Sequence, residues 1–213
     1  MHVYKFKALD NFHQVVDILL NERIYCPTPS ELNDPLEGVL GVSGPALNEG
    51  MSPDDKLEAT ASFWMSAEAE LNQYRVCSFS RIPDNPLMWA YYGKGHSGIC
   101  IELDLLEHAT KIIPIQYVRD LSVINRASAH NRLSHKLKQW QHENELRLIF
   151  SPEYRQKFIK AKIISIIVGT RLPEQFYSPL FELCKIKKYN IQFMSFNTLG
   201  EATRFSINIQ KNT

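Results

Sequence analysis

The chain has 213 residues, enough for one domain with a full core of its own. Hydrophobic residues make up 44% and charged residues 22%, and 24 Lys and Arg stand against 23 Asp and Glu, for a formal net charge of +1. Such ordinary, balanced usage argues against a disordered chain and against binding to nucleic acid through bulk charge. No run approaches the ~20 apolar residues of a membrane helix. The N-terminal MHVYKFKALDNF lacks the apolar core of a secretion signal, so a cytoplasmic location with no membrane partner is expected.

In chain order, Val3 to Phe6 reads as a short strand and Asn11 to Leu20 as an amphipathic helix, with Asp10 or Asn11 as its N-cap. Arg23 to Cys26 is a second short strand. The segment PTPSELNDPLEG carries three prolines, which deny donors to any sheet, and is expected as a loop. Gly41 to Pro53 is a further soft stretch, and Asp54 to Glu70 is helical by its Ala, Glu, Leu and Met content. Arg75 to Ser80 alternates as a strand, and Pro86 opens a short helix through Tyr92. Strands follow at Gly98 to Leu103 and Ile112 to Val118, then a polar helix over Ser122 to Trp140. Glu145 to Phe150 and Ile163 to Val168 are strands, Pro173 opens a helix to Lys188, and Ile191 to Phe196 and Thr203 to Ile209 close the chain as strands. Strands and helices interleave with crossovers of uneven length, which points to a single α+β domain over 1–213 rather than a doubly wound parallel sheet.

Several chemistries are disfavoured by what is missing. The four cysteines, Cys26, Cys77, Cys100 and Cys184, are far apart with no CxxC pair, and the histidines show no HExxH spacing, so no metal site is expected. Rossmann, P-loop and G-x-S-x-G signatures are absent, GVSGP at 41–45 being only a faint echo. Two basic stretches remain as local patches, one with Arg132, His135, Lys136 and Lys138 and one with Arg155, Lys157, Lys160 and Lys162.

Three constellations carry polar chemistry. Asn33-Asp34-Pro35 with Glu37 sits in the proline-stiffened loop and reads either as an Asx-turn or as a set of ligand-binding groups. CSFSRIPDNPLMWAYYGKGHSG places Ser80 at a strand end before Trp89, Tyr91 and Tyr92, with Gly93, Gly95 and Gly98 close by. That grouping is either core packing or a stacking pocket for a planar ring. In WQHENELRLIF, strand alternation puts Glu143, Glu145 and Arg147 on one face and Leu146, Leu148 and Phe150 on the other. That face is either solvated, with a weak cross-strand pair, or a carboxylate site that Arg147 tunes.

Taken together and in this order, NDPLEG, CSFS, PLMWAYYGKGHSGICIELD and WQHENELRLIF resemble a bacterial family, domain-of-unknown-function family twenty-nine seventy-one. The resemblance extends over nearly the whole chain, including the late IVGTRLPE segment. The layout is in turn similar to the ADP-ribosyltransferase superfamily, especially the DarT-like toxins that modify nucleic acid. The resemblance implies a split, mixed or antiparallel sheet with flanking helices. It also implies NAD as substrate, no metal, a nucleic-acid or protein acceptor, an antitoxin partner, and a role as a toxin or antiviral-defence effector. By this likeness Glu145, second in an E-x-E pair, is the catalytic carboxylate, and Glu143 takes the proton of the acceptor. Lys5, Asn33, Asp34, Ser80, Trp89, Tyr91, Tyr92 and Arg147 form the NAD-binding set, with Lys5 standing where a histidine or arginine is usual. Two other readings remain open. One is a nuclease or phosphodiesterase with Mg²⁺ held by Asp34, Glu37, Glu143 and Glu145, although no accompanying lysine is placed nearby. The other is a module that binds a nucleotide without turning it over.

Overall fold

A strand of alternating character, β1 (His2–Lys7), leads into helix α1 (Phe12–Asn21) in this computed structural model, which describes residues 1–34, 37, 38, 44, 45, 47–124 and 128–206. Asn11 occupies the N-cap position of α1, but its side chain makes no capping bond. The chain continues through β2 (Arg23–Tyr25), α2 (Pro53–Leu71), β3 (Arg75–Ser80), α3 (Pro86–Tyr91) and β4 (Ile99–Asp104). Both α2 and α3 begin as sequence chemistry requires. Ser52 and Asn85 cap them by accepting from the Asp55 and Leu87 amides, and Pro53 and Pro86 take first-turn positions where no donor is needed. Next come β5 (Ile113–Pro114), β6 (Gln116–Val118), α4 (Ala129–Leu133), β7 (His135–Leu137) and β8 (Glu145–Phe150). The chain ends with β9 (Phe158–Lys160), β10 (Lys162–Val168), α5 (Tyr177–Lys187), β11 (Asn190–Phe196) and β12 (Ala202–Ser206).

Eight strands form one mixed sheet in the order β12-β11-β10-β4-β1-β3-β8-β5, in which β10 and β11 run parallel and the other neighbours antiparallel. Helices flank it, so the α+β expectation holds. One face buries Val3, Ile101, Leu103, Phe79, Leu146 and Leu148 against α1 and α5. Elsewhere Phe6, Cys100 and Ile167 pack on Met88 and Trp89 of α3. All four cysteines are buried free thiols.

Three expectations change. The polar helix over Ser122 to Trp140 is not one helix. Its described residues give a 3₁₀ turn at Leu121–Ile124, α4, β7 and a second 3₁₀ turn at Lys138–Glu143. Helix propensity is a weak prior, and here strand pairing of Tyr117 with Lys136 overrides it. The strand over Ile112 to Val118 splits in two. Proline has no amide to donate, and after Pro114 the Ile115 amide turns to the Glu145 carbonyl while β6 leaves the main sheet for β7. Strand β9, pairing with β2, is an element the sequence reading did not contain. The reading of 207–209 as the end of the last strand lies outside the described residues, as do 41–43 of the GVSGP echo.

The sheet is continuous on both sides of one seam. Strand β1 pairs with β4 from His2↔Asp104 to Lys7↔Ile99, and β3 with β8 from Arg75↔Phe150 to Ser80↔Glu145. Between β1 and β3 the register holds only Tyr4↔Ser80. Away from that point the strands part, and a cleft opens between them. On the far side of β1, Gly98 lets the backbones close up: a Cβ there would lie 2.3 Å from the Lys7 carbonyl oxygen.

Candidate functional site

The cleft has a volume of about 320 Å³ and is lined by Lys5 and Lys7 of β1, Asn33, Glu37, Ser78 and Ser80 of β3, Tyr92, Lys136, Glu143, Glu145 and Arg147, among others. That volume is at the low end for small-molecule sites.

Its floor is a buried knot of charge. Arg147, only 1% exposed, donates Nε to Glu145 Oε1 at 2.6 Å and Nη2 to Glu145 Oε2 at 3.1 Å, pairs with Glu37, and gives Nη1 to the Leu133 carbonyl at 2.8 Å. Lys136 lies 2.8 Å from Glu37 Oε1, 2.6 Å from Glu143 Oε2 and 3.4 Å from Glu145 Oε2, with its ammonium 4.7 Å from the Trp140 ring centre. Three carboxylates therefore face two cations, an excess of one carboxylate. Burial of an ionised carboxylate is expensive unless it is paired.

The two glutamates of the E-x-E pair divide accordingly. Burial raises Glu145, but the Arg147 guanidinium and the Lys136 ammonium outweigh it and hold the carboxyl down to about 2. Burial raises Glu143 as well, and there Lys136 does not overcome it, so Glu143 lies above its ordinary value. Of the two, Glu145 is the one held ionised and Glu143 the one that takes up a proton more readily. Carboxylates whose surroundings push them apart in this way are the pattern that separates a fixed negative charge from a proton-handling group.

Local structure explains how residues two apart serve one cluster. Glu143 is not on the strand, as alternation suggested; it ends the 3₁₀ turn, and Asn144 in the left-handed region (φ 46°) turns the chain so that Glu145 opens β8. The Tyr117 hydroxyl accepts from the Glu145 amide at 2.9 Å. The Ser80 hydroxyl donates its proton either to the Glu143 carbonyl at 2.9 Å or to that of Ile82 at 3.0 Å. The Tyr92 hydroxyl donates to Glu143 Oε1, and burial and that carboxylate raise the phenol well above its ordinary range.

Of the residues singled out from sequence, Lys5, Asn33, Ser80, Tyr92, Glu143, Glu145 and Arg147 line this cleft together. Ser80 lines it while its hydroxyl braces the Glu143 segment. Three do not line it. Trp89 is fully buried, its indole N–H donating to the Pro83 carbonyl at 2.7 Å and its ring meeting Phe6 edge-on, so it belongs to the core formed with Phe6, Cys100 and Ile167. Tyr91 points away from that face, 66% exposed beside His142. Asp34 is buried, and its carbonyl accepts from the Glu37 amide at 3.1 Å. The solvated reading of Glu143, Glu145 and Arg147 also fails, since all three are buried.

Sequence reasoning missed Lys136 as a site residue. It stood in a run read as a basic patch, yet Arg132, His135 and Lys136 are buried, while Arg155, Lys157, Lys160 and Lys162 are exposed as expected. Nothing local distinguishes Lys136 from Lys138; only the β6–β7 pairing turns it inward. Its ammonium sits among Glu37, Glu143 and Glu145, so a lysine does accompany these carboxylates, contrary to the expectation from sequence. Among the described residues no group of three or more His, Cys, Asp or Glu side chains is placed to hold a metal ion, and no helix is long and apolar enough to cross a membrane.

No protein-family model, curated protein or solved structure matches this chain.

Proposed function

We propose that this protein is an NAD-dependent ADP-ribosyltransferase of the DarT-like kind, acting on a nucleic-acid or protein acceptor in a toxin or defence role. The observation that supports it best is the pairing of Glu145, kept ionised by Arg147, with Glu143, which burial makes the better proton acceptor, at the floor of a cleft where the sheet parts. Cleavage of the nicotinamide–ribose bond sends the bonding electrons to nicotinamide and leaves positive charge on the ribose ring. A fixed carboxylate at Glu145 stabilises that charge more in the transition state than in the ground state. The acceptor nucleophile then forms its bond to the ribose carbon and loses its proton to Glu143 in its ionised state. Tyr92 presents a ring to the cleft and holds Glu143 through its hydroxyl. Lys136 and Arg147 keep the two carboxylates in place.

A second reading draws on one specific observation. Glu145 is only 5% exposed and bonded through both oxygens to Arg147, an arrangement that also suits a module that binds a nucleotide without turning it over.

The test is incubation with labelled NAD and cellular RNA, DNA and protein, with and without EDTA. Label transfer that survives EDTA, and is lost in Glu145→Gln with the fold intact, is the expected result. Turnover retained by Glu145→Gln removes the catalytic role. Cleavage abolished by EDTA favours a metal-dependent nuclease, and binding without turnover favours the binding module.

A further inference from the structure

The carboxylates enter the cleft from the β8 side, and its opposite wall is basic. Lys5 and Lys7 are two residues apart on β1 and so project from the same face of the strand. Lys5 donates to the Ser78 carbonyl at 2.8 Å across the parted seam, with its ammonium 5.7 Å from the Phe79 ring centre. Lys7 is half-buried, and none of the described residues gives it a hydrogen-bond or ion-pair partner.

The carboxylates that line the cleft are all engaged elsewhere. Glu31 accepts from the Thr28 amide at 2.7 Å and its hydroxyl at 2.9 Å. Glu37, Glu143 and Glu145 belong to Lys136 and Arg147. An ammonium half out of water, next to a second ammonium and with no counter-charge, costs stability that an apolar side chain at position 7 would not. Burial, and then Lys5, accordingly lower Lys7 to about 8. An anion brought by a ligand relieves both effects.

The register sets the distance. Tyr4 faces Ser80, and Ser80 faces Glu145, so these three lie at one level of the sheet. Lys7 is three residues further along β1, about 10 Å at the rise of an extended strand, and that odd spacing puts it on the opposite face from Tyr4, so Lys5 and Lys7 meet the cleft through the parted seam. We propose that Lys7, assisted by Lys5, forms an anion subsite in the seam between β1 and β3 that receives a phosphate or diphosphate group of a ligand. The anion subsite does not rest on the transferase reading.

The experiment uses inorganic pyrophosphate, ADP-ribose and NAD as probes on the full chain. Titration calorimetry on the wild type, Lys7→Met and Lys7→Arg is combined with reductive methylation of the Lys7 amine at pH 8, read by peptide mass spectrometry. Pyrophosphate and ADP-ribose are expected to shield Lys7 in the wild type. Lys7→Met, which keeps the stem, is expected to lose about 10- to 100-fold in affinity for both, the range of one hydrogen bond to a charged group, and Lys7→Arg to recover most of it. The inference is overturned if pyrophosphate leaves Lys7 labelling unchanged, or if Lys7→Met binds ADP-ribose as the wild type does. Shielding by pyrophosphate without any NAD turnover upholds the subsite while the transferase reading fails. Pyrophosphate affinity unchanged in Lys7→Met sinks the subsite, whatever the NAD turnover shows, and leaves that reading standing.

Discussion

Lys136 Nζ lies 2.6 Å from Glu143 Oε2, although the two residues belong to different elements and the lysine stands in a run of solvent-seeking residues. That ion pair is one half of the charge balance in the cleft floor. Replacing Lys136 by Met leaves Glu37, Glu143 and Glu145 facing Arg147 alone. Breaking a buried pair from one side costs about 3–5 kcal/mol, so Lys136→Met should lower unfolding free energy by that order at pH 7. The deficit should shrink in urea titrations toward acid pH as Glu143, raised above its ordinary value, takes up a proton. A deficit that stays constant with pH would argue that packing on Trp140, not charge, is what Lys136 supplies.

Glu145 makes stability depend on acid in a definite direction. Its folded carboxyl is held near 2, below an ordinary value of 4.5. The unfolded chain therefore binds the proton first, and stability from this group is complete above 4.5 and drains away as pH falls through about 2. Wild-type unfolding free energy measured from pH 7 to 2 should show this loss, and Glu145→Gln should show a flatter profile. Equal slopes for both proteins would contradict the Arg147 pairing.

Glu143 has the opposite sense. Burial raises it, so it is ionised and able to accept a proton only above a pH higher than the usual carboxylate value of 4.5. The pH profile of transfer should have an acid limb there, absent from the residual activity of Glu143→Gln. The Tyr92 hydroxyl bonds this carboxylate and lowers its value, so Tyr92→Phe should move the limb to higher pH. The move should be at most about one pH unit, the worth of one hydrogen bond. A limb displaced to lower pH would reverse the assignment.

Neighbouring aromatic residues should separate cleanly in binding. Tyr92→Ala should weaken NAD by about tenfold through loss of a cleft-lining ring. Tyr91→Ala, at an exposed ring outside the cleft, should stay within about twofold, since surface changes are near neutral. Trp89→Phe should lower the melting temperature by removing a buried hydrogen bond, with affinity unchanged. Calorimetry on the three variants decides; a Tyr91→Ala protein that loses binding would relocate the site.

By itself the sequence determined the elements that local chemistry writes. Alternation gave β3 and β8, composition gave α2 from Asp54, and Pro86 marked where α3 begins. The spacing of Glu143, Glu145 and Arg147 flagged a charged constellation. Tertiary structure alone decided whether that constellation met water or the interior. It drew Lys136 inward through the β6–β7 pairing, sent Trp89 of α3 to the core and Tyr92 just after it to the cleft, and parted β1 from β3 to open that cleft beside Lys7. Charge burial depends on partners far apart in the chain, Glu37 and Arg147 being 110 residues apart, and no local pattern encodes such a distance.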